Sequence, residues 1–246
     1  GLDIGHPDFV NNFREHFSYD MTDKDPDVTS ASGGAAAGHG QHVAGIIAAD
    51  TNNGLGVAGI CQLCSVMFAR ASIQSATVPS YTHLANAGVQ VVNSSFSMYR
   101  SHLDSEPLPD CNNDPTSQWT SGCEALTLLA ARDIVHVASG GNGDNEDEGP
   151  DEYTIGEHEP VTLGSKGRSD RIQFPASDER VIAVGAVSID GNRTYFSDYG
   201  PQLDVVAPGY KVLSTFDRGR DWNIPTPANP MGGWHCGDSQ GLENET

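Results

Sequence analysis

Apolar residues come in short runs along this chain, separated by breaks rich in glycine and asparagine. Residues 18–34 are polar and Gly/Ser-rich, so a loop is expected there. From Gly40 the chain turns apolar in QHVAGIIAAD, and Ala44, Ile47 and Ala48 fall on one face at helical spacing. TNNGLG then ends that helix. CSVMFARA predicts a strand, and YTHLANAG a short helix stopped by Gly88. VQVVNSSFS has a β-branched run and predicts a buried strand. Residues 98–120 carry prolines and Asn/Asp without a period, which predicts a long surface loop. GCEALTLLAARD predicts a helix with Leu126, Leu129 and Ala130 facing inward, and IVHVASGGN a strand running into a glycine turn. A second loop is expected over 143–171. RVIAVGAV, LDVVAPG and KVLST then read as strands. Strands alternating with helices predict a three-layer α/β fold, a mainly parallel sheet with helices on both faces. Sites in such sheets form at the carboxyl ends of strands, which directs attention to the exits SFS and SGGN, and to GHG.

Composition narrows the partners. The chain has 246 residues and a net charge of −20, with three lysines (Lys24, Lys166, Lys211) against 33 acidic residues. That field repels nucleic acid and anionic membranes, so neither is expected as a partner. No run of 18 apolar residues occurs, so no membrane insertion is expected. Such acidity with few lysines suits a soluble, extracellular, secreted protein, and equally a salty habitat or bound cations. The opening GLDIGHPDF, without an initiator Met or signal peptide, reads as an internal fragment. Of five cysteines, Cys111 and Cys123 flank a polar loop and are expected to pair in an oxidising compartment; Cys61 and Cys64 form a CxxC and Cys236 is left over.

Two histidines three residues apart, His39 and His42, carry the first candidate chemistry. With Cys61 and Cys64 they offer two nitrogens and two sulfurs, enough for a tetrahedral zinc. Against this, Gly40 places His39 at the helix start, and a histidine on an Ala-rich helix is more often simply packed, which suits His42. GGNG by itself is an ordinary turn. Two sequons occur: Asn93 in a strand expected to be buried, hence discounted, and Asn192 in an expected turn.

Other segments change the reading of His39. HGQHVAGIIAA resembles the histidine motif of the subtilisin-like serine proteases, HGTHVAG, with Gln41 in place of Thr. GLDIGHPDF resembles the segment that follows the family's catalytic aspartate. VVNSSFS resembles the substrate-binding strand, ASGGN the oxyanion-hole segment, and FPASDERVIAVGAV and YFSDYGPQLDVVAPGYKVLST later signatures. Six segments in the family's order span residues 1–215. The resemblance implies a subtilisin-like serine endopeptidase acting on peptide or protein substrates, expected to be a monomer.

By that resemblance His39 matches the general base, and Asn142 the amide that donates to the oxyanion. Ser95, Phe96 and Ser97 match the strand that pairs with substrate backbone, where the family has Gly in place of Ser97. Gly140 and Gly141 match the close approach to substrate. A calcium site is also implied: Asp8 and Asn53 through side chains, and Asp50, Leu55 and Val57 through backbone carbonyls. The catalytic aspartate is expected just before Gly1 and the serine beyond Thr246; Ser239, in CGDSQG, is a weak substitute. Residues 1–246 therefore read as one catalytic domain truncated at both ends and inactive alone. A catalytically dead relative that binds peptides is the alternative. Eight acidic residues between Asp144 and Glu159, with no Lys or Arg, suggest either a solvated loop or a preference for basic peptides.

Overall fold

The computed structural model describes residues 1–9, 11–29, 38–71, 74–96, 111, 120–142, 153–155, 159–161, 172–194, 196–216 and 234–237. In chain order the elements are β1 (Tyr19–Asp20), α1 (His39–Ala48), β2 (Ala69–Arg70), α2 (Gln74–Ala87), β3 (Val91–Ser94), α3 (Thr120–Ala131), β4 (Val135–Ser139), β5 (Tyr153–Ile155), β6 (Glu159–Val161), β7 (Ile182–Val187), β8 (Val205–Pro208), β9 (Val212–Thr215) and β10 (Trp234–Gly237). They fall into two compact units, Gly1–Ala76 with Lys211–Thr246, and Thr77–Tyr210.

The first unit is built on α1. Its apolar stripe behaves as the period predicts: Ala44 and Ala48 are buried with Leu2, Phe9 and Val28, and Ile47, Phe13, Val66 and Phe68 pack around them. The N-cap is Gly38, which supplies no side-chain cap. The other end is well satisfied. Gly59, Ile60 and Cys61 donate their amides to the carbonyls of Ala49, Ile46 and Ile47, which the last helical turn leaves without an intrahelical donor. β9 runs against α1 and pairs antiparallel with β10. Gly45 permits this approach, since a Cβ there would overlap Thr215 Oγ1 and stand 2.5 Å from Ser214 Oγ. The strand expected over 64–71 is shorter than its apolar run. Only Ala69–Arg70 pairs with β1, parallel, and Val66 makes a single bridge to Phe13. Cys64, at its start, is held instead in a disulfide with Cys61.

The second unit carries a four-stranded parallel sheet in the order β3-β4-β7-β8. Tyr81 and Ala85 of α2, and Ala125 and Leu129 of α3, bury Val92 of β3; Leu126 packs with Ala138 and Ala183 further along the same face. Each buried leucine is worth about 1.5–3 kcal/mol of hydrophobic transfer. The Cys111–Cys123 disulfide forms as expected, with Cys111 packed against this core.

Several expectations are corrected here. β3 is not buried on both faces: Val91 is 58% exposed and Asn93 is exposed, because α2 and α3 cover the same side. The Asn93 sequon is therefore not buried, contrary to expectation. Ala130 is exposed, since it sits one step round α3 from the buried Leu129. α2 starts at Gln74 and contains Pro79, so it is longer than YTHLANAG alone. The loop expected over 143–171 contains an antiparallel pair, β5 with β6. The rest of that loop, the acidic stretch outside the pair, most of 98–120, Ser97 and Ser239 lie outside the described residues.

Candidate active site

His39 is the first residue of α1 and its side chain is open to solvent. The protein around the ring still weakens its hydration, and this desolvation lowers its pKa below the usual 6.5. The imidazole is therefore held neutral near pH 7, the form that accepts a proton. The helix beneath it is anchored. Gln41 is fully buried; its Oε1 accepts the Asp3 N–H at 2.9 Å and its Nε2 donates to Thr215 Oγ1 at 3.1 Å. Thr215 Oγ1 donates in turn to the Gln41 carbonyl at 3.0 Å, and Ser214 Oγ to the His42 carbonyl at 2.6 Å. His42 meets the Val212 carbonyl through Nε2 at 3.1 Å, so it is a packed neighbour of β9. The zinc reading fails on these contacts. Cys61 and Cys64 are joined to each other, which removes both thiolates, and no group of three or more possible metal ligands of the His/Cys/Asp/Glu type occurs among the described residues.

In the second unit, the parallel register Ser94↔Ala138 brings the exits of β3 and β4 side by side. Ser95 and Phe96 leave β3 there, with Phe96 40% exposed, while Gly140, Gly141 and Asn142 leave β4. Gln173 donates its N–H to the Gly140 carbonyl at 2.8 Å, and Asp198 its N–H to the Gly141 carbonyl at 3.1 Å. Gly141 has φ +129, and a Cβ there would overlap the buried Asp198 carboxylate. Only glycine takes this conformation without strain, and the two amides fix the direction in which Asn142 departs.

The implied calcium residues also meet. Asp8 is fully buried; its Oδ1 accepts from Asn53 Nδ2 at 2.6 Å and its Oδ2 from the Val57 N–H at 3.0 Å. Asn53 Oδ1 accepts the Leu55 N–H at 2.9 Å, and the Asp50 N–H donates to the Asp8 carbonyl at 2.7 Å. Burial raises the Asp8 pKa, against the two hydrogen bonds.

The family model for subtilases matches residues 1–237. The chain belongs to the subtilase family. Among curated relatives, this subtilase is 29% identical over 226 residues to the thermophilic serine proteinase of Bacillus sp. (strain AK1), covering 89% of this chain and 44% of that protein. It is 31% identical over 189 residues to the extracellular basic protease of Dichelobacter nodosus, covering 74% and 26%. Subtilisin E of Bacillus subtilis (strain 168) is 28% identical over 219 residues, covering 89% and 47%. The chain thus spans about half, or less, of the length of these relatives. Solved structures give the fold. A cold-adapted subtilisin-like serine proteinase matches with a TM-score of 0.59 at 18% identity, over 89% of this chain and 63% of that one. The epidermin leader peptide processing serine protease of Staphylococcus aureus matches with 0.63 at 19%, over 89% and 58%. The fold is accordingly the three-layer α/β arrangement of the subtilisin-like proteases.

Sequence reasoning passed over three features of this subtilase. Gln41 was visible only as a departure from Thr. Asp198 carried no signal beyond its place in the YFSDYG motif. A buried chain, Tyr81 Oη to Ser94 Oγ at 2.8 Å and Ser94 Oγ to His136 Nε2 at 2.8 Å, had none, because each residue lies on a different element.

Proposed function

We propose that the chain is part of a serine endopeptidase, in which His39 accepts the proton of an attacking serine hydroxyl and Asn142 donates its side-chain N–H to the oxyanion. The observation that carries the reading is His39 itself, a solvent-open, neutral imidazole at the mouth of a helix fixed from inside, within the subtilase histidine motif. Proton transfer through His39 lets the hydroxyl attack as it loses its proton, and returns that proton to the leaving amine. An amide aimed at the developing charge needs no reorganisation during reaction. The exits at Ser95–Phe96 and Gly140–Gly141 would receive the peptide backbone of the substrate as an added strand.

Calcium is the expected structural ion. Asp8 offers a buried carboxylate that ionises reluctantly, and Asn53, whose Nδ2 donates to it, would turn its amide oxygen inward to join it. Asp8 and Asn53 would hold the ion through side chains, with carbonyls of Asp50, Leu55 and Val57, and the ion would supply the positive charge that Asp8 lacks. Two disulfides suit an oxidising, extracellular setting, which the name of the Dichelobacter nodosus relative shares.

The test uses the full-length protein, a fluorophosphonate probe and a peptide substrate. Wild type should label and cleave, with an acid limb below pH 6.5, and His39→Ala should do neither. Peptide binding without labelling or cleavage would replace hydrolysis with binding.

A further inference from the structure

We propose that Gln41 is a positioning residue for His39: its buried side-chain amide braces the first turn of α1 between Asp3 and Thr215, and so sets where the imidazole stands. The inference rests on reading His39 as the general base. Two helical residues apart means side chains roughly 200° apart, so His39 points outward while Gln41 points into the core. This turn needs an internal anchor, because its N-cap is Gly38 and no side chain caps it. Gln41 supplies one in two directions. Its carbonyl oxygen takes the Asp3 N–H, and its NH2 gives to Thr215 Oγ1. The same Thr215 hydroxyl donates back to the Gln41 backbone carbonyl, closing a ring of two hydrogen bonds between helix and β9. The two bonds between Gln41 and Thr215 are buried and the one from Asp3 is partly so; at the buried pair a broken bond leaves groups that water cannot reach. A Thr at this position, as in the resembling motif, has a side chain two bonds shorter and a single hydroxyl, so it could not span both partners. The brace therefore ties the Asp3 segment, β9 and the histidine turn into one frame.

The experiment compares full-length wild type with Gln41→Met, which keeps length and removes both polar ends. Gln41→Glu keeps the acceptor for Asp3 and loses the donor to Thr215; Thr215→Val loses the hydroxyl at nearly constant shape. kcat, KM, the pH profile of kcat/KM and the unfolding midpoint are measured for each. Gln41→Met should lower kcat about 10- to 100-fold, as a displacement of about 1 Å in a catalytic group does, with KM within about twofold and a moved acid limb. Gln41→Glu and Thr215→Val should shift the same quantities less, and Gln41→Met with Thr215→Val should be non-additive. If Gln41→Met does not fold, the other two carry the test. Variants that are destabilised yet keep wild-type kcat and acid limb when folded overturn the proposal, leaving Gln41 a packing residue. The underlying reading fails separately, if His39→Ala retains wild-type turnover.

Discussion

The most quantitative consequence concerns His136, which sits on β4 in the buried chain with Ser94 and Tyr81. It is 3% exposed, its ring stands edge-on to Tyr81 at 5.1 Å, and its Nδ1 has no hydrogen-bond partner among the described residues. Burial, against a smaller opposing pull from Asp178, holds its pKa down at about 4, from an ordinary 6.5. Below pH 4 both folded and unfolded chains carry this proton; above pH 6.5 neither does. Between those limits the unfolded chain binds more protons, so stability rises with pH across the window and falls on acidification through it. The gap corresponds to about 3 kcal/mol, a sizeable share of the roughly 5–15 kcal/mol that holds an ordinary domain. His136→Val removes the titration, suits a strand, and leaves Ser94 its bond to Tyr81. Denaturant unfolding of the full-length protein from pH 4 to 7.5, with and without the substitution, isolates His136 from the remaining histidines and from 33 acidic residues. Wild type should lose about 3 kcal/mol relative to the variant as pH falls through the window. Parallel curves, or a difference of opposite sign, would refute the reasoning.

Gly45→Ala sets two effects against each other. Helix propensity favours Ala by about 1 kcal/mol, but overpacking at Ser214 and Thr215 costs about 1–3 kcal/mol and weakens two hydroxyl bonds at about 0.5–1.5 kcal/mol each. The variant should be less stable by denaturant midpoint, and a stabilised Gly45→Ala would show that the approach of β9 is loose. Gly141→Ala should reduce kcat by at least about 100-fold through displacement of Asn142, with circular dichroism unchanged; full activity would remove Gly141 from the site. Asn142→Ala should cost about 10²- to 10³-fold in kcat, a magnitude borrowed from the comparable donor of subtilisin. Calcium at 100 times its Kd should stabilise the protein by about 2.7 kcal/mol, and Asp8→Ala should abolish that increment; a chelator-insensitive wild type would exclude the ion.

Much of this was legible in the chain. The helical period and Gly40 located α1 and put His39 at its mouth. The β-branched runs located β3, β4, β7 and β8, whose exits carry Ser95, Phe96 and Asn142. These signals are local: periodicity and turn chemistry act between residues a few positions apart. The shortened strand at 64–71, the exposed Ala130 and the fate of the CxxC were not legible, because each depends on what packs alongside.

The sequence by itself determined where α1, α3 and the strands β3, β4, β7 and β8 lie, the family, and the residue types available for chemistry. Only the tertiary structure decided that Gln41 answers to Thr215, 174 residues away, that His136 is buried beside Ser94, and that Cys61 and Cys64 bind each other rather than a metal. The reason is physical. A hydrogen bond or disulfide selects its partner by distance and direction in space, and chain order constrains that choice only over the length of one turn or strand pair.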